Sequence, residues 1–483
     1  MGDSKFGPGA RRTSLAILTG ALLVFSFPPL GHWLVGWVAL VPLMLAINDA
    51  GPFAALRLGF LAGYAAYAFL LHWFYHLFGW RTPALWALPA AFVGLWAWLW
   101  VWLGQGRSGW YRLMLAPLIW VALEFFRSEG YYLRFSWFGL GYSQIFPSPY
   151  LQMADLLGVY GISFLIVLFS SAVQLTVSRK LQGREAEACW AVVLLLMAVS
   201  ATRGIVFSRN SPDLPNTDES FVVGIVQDET SSIPEKATAS IGLTRAKPKL
   251  VVWPEYSTST YALEEPATMA TILGTAVGLE CYLVVGTMTH SGPVVYNSAV
   301  VFGPAGSQIG LYNKHVPVQM LEDVRPGGEF NVIPTSVAKL GIAICYDASF
   351  PMIPRALVKS GAELLVVPAY DAFEWGMVEK AQHVSVVSMR AVETRRFLVR
   401  AASSGISVIF DPYGQAVAQA LAPEPTVIWG TVQPRSDLTF FVKYGWLLPY
   451  WCGLVGAIVV LAKIVERMAE PRHPPELPPE TAC

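Results

Sequence analysis

The stretch "GIAICYDASFP", residues 341–351, decides the fold of the C-terminal half of the chain, because it reads as a strand that ends on a reactive side chain. An apolar, β-leaning run leads into Cys345, Tyr346 and Asp347 follow, and Pro351 then breaks the segment. Taken alone, a cysteine in such a run is most often a small buried core residue. Whether Cys345 is a nucleophile therefore depends on which other side chains reach it.

The composition is that of a membrane protein. Of the 483 residues, 54% are hydrophobic and only 14% are charged, which is too apolar for an ordinary soluble protein. The formal net charge is zero and the sequence has no basic stripe or zinc-knuckle spacing, so nucleic acid is excluded as a partner. The five cysteines show no CxxC pair or framework spacing, so a disulfide scaffold is not indicated.

Eight apolar runs are long enough to cross a hydrocarbon core of about 30 Å, which takes about 20 residues. They lie at 13–30, 32–48, 55–78, 84–104, 110–126, 158–177, 188–206 and 445–462. The first run follows Arg11 and Arg12, but further membrane segments come after it and no small-residue cleavage site is visible. We therefore interpret it as a retained helix rather than a signal peptide.

Lysine and arginine in the short loops set the orientation of such a chain. With the N-terminus in the cytoplasm, only Arg81, Arg127 and Arg134 lie in outer loops, and the inner side collects Lys5, Arg11, Arg12, Arg57, Arg107, Arg112, Arg179, Lys180, Arg184, Lys463, Arg467 and Arg472. The sequence thus predicts four parts: a membrane domain of seven helices over 1–206, a non-cytoplasmic catalytic domain over 207–440, a C-terminal membrane helix over 441–465 and a cytoplasmic, disordered, proline-rich tail over 466–483.

The outer domain alternates β-rich runs with helices, which is typical of an α/β sandwich whose sheets are buried on both faces. The clearest helices are predicted at 351–361 and 376–394. Strands are predicted at 221–227, 249–255, 281–288, 296–302, 341–347, 363–369, 396–405 and 407–414.

Three strand ends in this domain each carry one reactive side chain: Glu255 in "VVWPE", Lys314 in "LYNKHVP" and Cys345 in "IAICYD". Because residues at strand C-termini converge on the crevice where α/β folds bind ligands, we expect the three side chains to meet. A partly desolvated carboxylate can take a thiol proton as general base, while an ammonium favours the thiolate and stabilises an oxyanion. The pattern predicts acyl transfer through a covalent thioester.

These residues resemble the Glu-Lys-Cys triad of the nitrilase, or carbon–nitrogen hydrolase, superfamily, which implies an αββα sandwich. The segments "FSFPPLGHWLVGWVALVPLMLAI" (25–47), "SWFGLGYSQ" (136–144) and "LLGVYGISFLI" (156–166) are similar to the membrane part of the bacterial apolipoprotein N-acyltransferase family, and residues 382–414 resemble its helix, strand and turn beyond the nucleophile. The resemblance implies a polytopic α-helical membrane domain of about eight helices, with a nitrilase-type domain between the seventh and the eighth.

The resemblance also implies an activity, N-acylation of lipoproteins at the outer face of the bacterial inner membrane. Cys345 would take an acyl chain from a phospholipid such as phosphatidylethanolamine, and the α-amine of a diacylglyceryl-cysteine would attack the thioester. No metal or other cofactor is implied, because the acyl ester already holds the energy, and we expect a monomer.

Supporting roles follow from the same resemblance for Glu322, an acid beside Lys314, and for Tyr346 and Asp347, which come after the nucleophile. A structural role is at least as plausible as a chemical one for five of the positions that match family motifs, namely Tyr346, Asp347, Gln227, Arg390 and Glu393, while His315 and His383 are assigned as supporting residues.

The chain departs from the family pattern where the lipid and the acceptor would enter. Asp347 stands where the family usually has glutamate, and "YDAFEWG" (370–376) replaces an asparagine- and tryptophan-containing lid motif. Two alternatives stay open: a membrane-bound amidase or acyltransferase with another acceptor, water included, and a catalytically inactive scaffold that binds lipidated partners.

The orientation can be tested by thiol labelling of intact spheroplasts. A membrane-impermeant maleimide should modify Ser307→Cys, in the outer domain, without lysis, and should reach Gln182→Cys, in a predicted inner loop, only after lysis. Labelling is scored against the unsubstituted chain. The opposite pattern would refute the orientation.

Overall fold

The computed structural model describes residues 8–145, 147–209, 219–230, 232–258, 262–420 and 423–469. The part of the predicted tail over 470–483 lies outside the described residues. The N-terminal region is helical, with α1 (Pro8–Ser26), α2 (Trp33–Gly36), α3 (Val41–Ile47), α4 (Pro52–Leu70), α5 (Phe74–Phe78), α6 (Thr82–Gly104), α7 (Gly109–Phe125), α8 (Ala154–Val177) and α9 (Gly183–Arg209).

Six helical segments of the described chain are long and apolar enough to cross a membrane, where the sequence indicates eight. They are 52–70, 74–104, 109–130, 149–177, 183–207 and 445–469. Most of the first predicted run lies within α1, a 19-residue helix that has Arg11 and Arg12 near its start. The run 32–48 is not one helix but two short ones, α2 and α3, because Pro42 lies in the first turn of α3 and cannot continue a helix that precedes it.

Glycine allows α4 and α6 to pack at close range. A Cβ on Gly59 would lie 2.7 Å from the carbonyl oxygen of Val93, and one on Gly94 would lie 2.8 Å from that of Leu56. Apolar side chains gain little from leaving lipid, so helices in a membrane associate mainly through such close backbone contact. The small residues therefore fix this helix pair within the membrane domain.

The C-terminal region is an αββα sandwich, as predicted. Its strands are β1 (Phe221–Gln227), β2 (Leu250–Val252), β3 (Tyr282–Ser291), β4 (Val294–Phe302), β5 (Gln308–Asn313), β6 (Val332–Pro334), β7 (Lys339–Ile342), β8 (Leu364–Ala369), β9 (Leu398–Ala402), β10 (Val408–Phe410), β11 (Ala416–Gln419) and β12 (Thr426–Val432). They form two six-stranded sheets, one in the order β12-β1-β2-β3-β4-β5 and the other in the order β11-β10-β9-β8-β7-β6.

Helices cover the outer face of each sheet: α10 (Ile233–Ile241) and α11 (Pro266–Gly278) cover the first, and α12 (Met352–Lys359) and α13 (Gly376–Thr394) cover the second. The short α14 (Phe440–Lys443) then leads to the last long helix, α15 (Leu448–Ala469). Strand alternation explains the layers, since Leu250 and Val252 face the core between the sheets while Val251 faces the core under α11.

Four strands, β5, β6, β11 and β12, are missing from the sequence-based set of eight, and each is an edge strand of its sheet. Their residues are largely exposed or half-buried, so they form no continuous apolar run that a sequence pattern could reveal. The prediction of a strand over 341–347 is also wrong at its end, because β7 stops at Ile342 and a 3₁₀ turn begins at Cys345.

Helix α13 joins the sandwich to the membrane domain. Its residues Val386, Met389 and Val392 pack into the membrane core. Near its start, Gln382 accepts a hydrogen bond from Trp73 Nε1 at 2.9 Å. Just beyond its end, Arg395 pairs with Asp155 at 2.9 Å, and both side chains are almost completely buried. Helix α13 thus contributes both apolar packing and buried polar contacts to the junction of the two domains.

Removing the charge of Asp155 should loosen this junction. Asp155→Asn leaves Arg395 buried without its counter-ion and weakens the contact with Arg203 at 2.7 Å, so we expect a loss of about 3 kcal/mol in stability. A thermal unfolding scan of the purified protein in detergent measures it. Asp49→Asn, which removes an exposed carboxylate 3.7 Å from Lys180, is the matched control and should leave the midpoint unchanged. Equal midpoints for both variants would contradict this assignment.

Candidate active site

The structure brings the three predicted side chains together between the two sheets. Glu255 lies three residues beyond β2 and Lys314 directly follows β5, both in the first sheet, whereas Cys345 follows β7 in the second. Each is at least nine-tenths buried. The sequence predicts that the three side chains converge at strand ends. They do so because the two sheets of the sandwich pack face to face.

Lys314 lies between two carboxylates. Its Nζ is 2.8 Å from Oε1 of Glu255 and 2.9 Å from Oε1 of Glu322. Asn297 Nδ2 donates to both of these oxygens, at 2.6 and 2.9 Å. The predicted neighbour Glu322 is thus a direct partner of Lys314. The Asn297 amide, which donates to both carboxylates, fixes their positions relative to each other.

The two carboxylates have different proton affinities. Burial and then the charge of Glu322 raise the pKa of Glu255, although Lys314 opposes the shift. For Glu322, burial is outweighed by Lys314 and by the hydroxyl of Tyr256, which donates at 2.5 Å, so its pKa is lowered. Burial disfavours the Lys314 ammonium, but the two acids hold its pKa well above the usual value. Glu255 is therefore the member of the cluster fitted to accept a proton.

Cys345 is held in an unusual backbone conformation at the start of its turn. Its φ is +49°, in the left-handed region that residues with a side chain rarely adopt. The Sγ lies 3.7 Å from the carbonyl oxygen of Tyr370, and burial followed by the negative charge of Glu255 raises the thiol pKa well above its usual value. The resting thiol is therefore neutral, and a base must remove its proton as the nucleophile attacks.

Asp347 organises the loops that carry Lys314 and Cys345. Its carboxylate accepts hydrogen bonds from the backbone N–H groups of Val316 at 2.7 Å and of His315 and Ile344 at 3.2 Å, and from the hydroxyl of Tyr312 at 3.0 Å. It is completely buried, and burial raises its pKa to about 6. These bonds link the loop after β5 to the loop after β7, so Asp347 positions the two loops that carry Lys314 and Cys345.

Tyr346 and four residues from the family motifs make structural contacts. The Tyr346 hydroxyl donates to the carbonyl oxygen of Arg134 in the membrane domain at 3.0 Å. Gln227 accepts from the N–H of Ser407 and so bridges the sheets. His315 stacks on Phe330. Arg390 and Glu393 form an ion pair at 2.9 Å. Arg390 also donates to the hydroxyl of Tyr142, and Glu393 accepts from the N–H of Val159.

A second charged cluster beside the thiol escaped the sequence-based prediction. Asp371 contacts Nδ1 of His383 at 2.9 Å and Nη2 of Arg400 at 2.6 Å, and all three are buried. The sequence signal for Asp371 is an acid two residues after the apolar strand β8, in "VVPAYD". Asn297 and Tyr256 were missed as well. For Asn297 the signal is a polar residue in an apolar strand.

Within the described chain, one group of side chains has the spacing for a metal ion: donor atoms of Cys345, Asp371 and His383 lie within 4.8 Å of one another. The Arg400 guanidinium already contacts Asp371 and lies 3.1 Å from His383 Nδ1. A divalent cation would meet this positive charge at close range, so the donor set fits an ion-pair network better than a metal centre.

An apolar cavity of about 140 Å³ connects the thiol with the membrane domain. Its wall combines α5 and α6, the loop after α7, the loop after Lys314 and the turn of the nucleophile; it includes Trp73, Phe74, Leu85, Phe135, Leu321 and Cys345. The surface in front of Cys345 is thus suited to a hydrocarbon chain.

Two family models match the chain: the apolipoprotein N-acyltransferase N-terminal domain over residues 19–172 and carbon-nitrogen hydrolase over residues 223–437. The apolipoprotein N-acyltransferase of Geobacter metallireducens is 31% identical and the alignment covers 94% of this chain and 95% of that protein. That of Azotobacter vinelandii is 29% identical, with 96% and 97% covered. A carbon-nitrogen hydrolase structure from Helicobacter pylori G27 is 21% identical, with 49% of this chain and 94% of that chain covered and a TM-score of 0.40.

Replacing the base should block the first chemical step. Glu255→Gln keeps the size of the side chain but cannot take the Cys345 proton, so acylation of the thiol should fall by about 10²-fold or more. In the unsubstituted protein acylation should decline as pH falls through the raised pKa of Glu255, because the base must be ionised. Rapid-quench mass spectrometry of the protein with phospholipid measures both. Glu280→Gln, an exposed acid of the same domain, should behave like the unsubstituted chain; unchanged acylation in Glu255→Gln would place the base elsewhere.

Proposed function

Because the chain belongs to the apolipoprotein N-acyltransferase family, we propose that Cys345 carries a fatty acyl group from a phospholipid to the α-amine of a diacylglyceryl-cysteine at a lipoprotein N-terminus. The chain is a bacterial membrane protein and an acyltransferase that N-acylates lipoproteins. The donor, the order of steps and the roles of individual residues are the proposal.

The apolar cavity is the observation that carries this proposal. A soluble amidase has no need for a nucleophile that opens onto membrane helices. An enzyme whose donor and acceptor both carry lipid chains must present its thiol to those chains, and here Cys345 shares one cavity with Phe74 and Leu85 of the membrane domain. The surface near the thiol supports an acyl chain more readily than a small polar amide.

The first half-reaction uses the neutral thiol and the paired acid. As the Cys345 sulfur attacks the ester carbonyl, Glu255 takes the thiol proton and Lys314 stabilises the oxyanion. The tetrahedral intermediate collapses, the C–O bond breaks, and Glu255 returns the proton to the leaving oxygen. A thioester on Cys345 and a lysophospholipid result. Glu322 stays ionised and keeps Lys314 protonated throughout.

The second half-reaction transfers the acyl group to nitrogen. The neutral α-amine attacks the thioester carbonyl, Glu255 takes a proton from the nitrogen, and the C–S bond breaks as that proton passes to the sulfur. The products are an amide and the regenerated thiol, so no external energy source enters the balance. Because the lysophospholipid leaves before the lipoprotein amine enters the site, the kinetics are ping-pong.

The donor and the location complete the proposal. Phosphatidylethanolamine, attacked at its sn-1 ester, is the proposed donor, and the inner membrane, with the sandwich on the periplasmic side, is the proposed location. The bias of lysine and arginine toward one set of loops supports that orientation. We propose that a single chain suffices, since Glu255, Lys314 and Cys345 all come from one copy.

Mass analysis of both half-reactions tests the proposal. Incubation with phosphatidylethanolamine should add one acyl group to Cys345, and a diacylglyceryl lipopeptide should then remove it and gain an N-acyl group. Cys345→Ala should abolish the adduct without unfolding. Cys281→Ala is the matched control, because Cys281 is buried under α11 and burial raises its thiol pKa to about 12.

Two outcomes would contradict the proposed function. An acyl adduct on Cys281, or none in the unsubstituted protein, would remove the thioester mechanism. A lipopeptide that keeps a free amine while the adduct is lost to water would assign the protein to the hydrolases. Complementation of a strain depleted of its lipoprotein N-acyltransferase distinguishes an acyltransferase from a hydrolase in cells.

A further inference from the structure

One carboxylate, that of Glu379, is found among the described residues that line the apolar cavity in front of Cys345. Glu379 lies in the first turn of α13 and is only 2% exposed. An acid at this position often stabilises the helix N-terminus, but it is then normally solvated. A buried acid facing an apolar cavity calls for another explanation.

Two polar atoms of the described residues that line the cavity have no hydrogen-bond partner within the described chain. They are Oε2 of Glu379 and Nε2 of His383, and both are buried. Leaving such an atom unpaired costs about 1–3 kcal/mol, so unpaired atoms at a site point to a ligand group that satisfies them. The two residues are one helical turn apart on α13, with Glu379 Oε1 3.6 Å from His383 Nδ1.

The two orphan atoms form a complementary pair. Asp371 holds the His383 imidazole through Nδ1 at 2.9 Å. Burial lowers the His383 pKa, but the charge of Asp371 and the hydrogen bonds to Asp371 and Glu379 together raise it, which favours the protonated imidazole, whose Nε2 is a donor. Glu379 thus offers an acceptor and His383 a donor. The N-terminal residue of a peptide offers the converse set, an ammonium and a carbonyl oxygen.

We propose that Glu379 is the acceptor-amine site of the enzyme: its carboxylate receives the α-ammonium of the incoming lipoprotein N-terminus beside the acylated Cys345 and takes one proton from it. This inference rests on the proposed function. The assignment gives α13 a catalytic residue in addition to its contacts with the membrane domain.

The proton balance requires such a group. An N-terminal amine has a pKa of about 7.7–8.0 and arrives mainly as the ammonium, which cannot attack a thioester. Transfer of one proton to the Glu379 carboxylate leaves a neutral amine and a carboxylic acid. The amine then attacks, with Glu255 handling the second proton as above. Glu379 releases its proton to water when the product leaves.

The surroundings tune Glu379 for this exchange. Burial and then the charge of Asp371 raise its pKa to about 7, against the opposing charges of His383 and Arg400. A base whose pKa lies close to that of the amine exchanges a proton at little energetic cost in either direction. The other titratable or charged groups on the described cavity wall are Arg127, Tyr131, Arg134, Cys345 and Tyr346.

The full-length enzyme with Glu379→Gln tests the site, with the two half-reactions measured separately. Acylation of Cys345 by phosphatidylethanolamine should stay within about twofold of the unsubstituted rate. Transfer to a diacylglyceryl lipopeptide at pH 7 should fall about tenfold, because only about a tenth of the amine is then neutral without help. The deficit should shrink toward pH 9, where the amine is neutral by itself. Hydroxylamine, which is uncharged at pH 7, should discharge both acyl-enzymes equally.

Glu280→Gln is the control, since it removes an exposed acid of the same domain that does not line the cavity and should transfer normally at every pH. Equal transfer by Glu379→Gln and the unsubstituted enzyme at pH 7 would overturn the inference, as would a deficit that does not change with pH. Loss of the acylation step would show a structural role and overturn it too. Failure of the proposed function looks different, because the unsubstituted enzyme would then form no acyl-Cys345 or would transfer nothing to the lipopeptide.

Discussion

The buried ammonium of Lys314 is the interaction on which the candidate site depends. A lone charge in the interior of a sandwich would be strongly destabilising, so the fold must supply counter-charges and hydrogen bonds in fixed positions. Glu255 and Glu322 supply the charges, and Asn297 and Tyr256 hold them in place. The same arrangement separates the acids chemically: two carboxylates share one ammonium, so one of them stays ionised and the other readily accepts a proton.

The second constraint follows from the proposed function, in which an acyl chain must reach a buried thiol. The sandwich cannot satisfy it alone, because its two sheets bury the nucleophile between them. Helix α13 resolves this by packing on the second sheet with one face and on the membrane domain with the other. The result is a cavity whose wall comes from both domains and includes Cys345. The junction is therefore part of the substrate site as well as a structural contact.

The elements that were predicted well are those buried on both faces. Strand β1 and helix α13 have the predicted bounds, because a continuous apolar run and a long amphipathic pattern each carry a strong signal. The edge strands β5, β6, β11 and β12 were not identified, since most of their residues are exposed or half-buried and edge strands need no apolar face. Likewise, hydropathy alone could not show that residues 32–48 turn at Pro42.

The sequence by itself determined the class of protein, and it predicted the order of its parts and three residues suited to acyl transfer. Apolar length, loop charge and reactive residues at strand ends are local properties, so they can be recognised in a segment of sequence without information about what that segment packs against. Only the tertiary structure decided the partners: the pairing of Lys314 with Glu322, the four bonds to Asp347, and the cluster of Asp371, Glu379, His383 and Arg400 beside the thiol. Apart from the Glu379–His383 pair within α13, these contacts join residues that lie on different elements, and the protonation of these residues is set by burial, which no local pattern records.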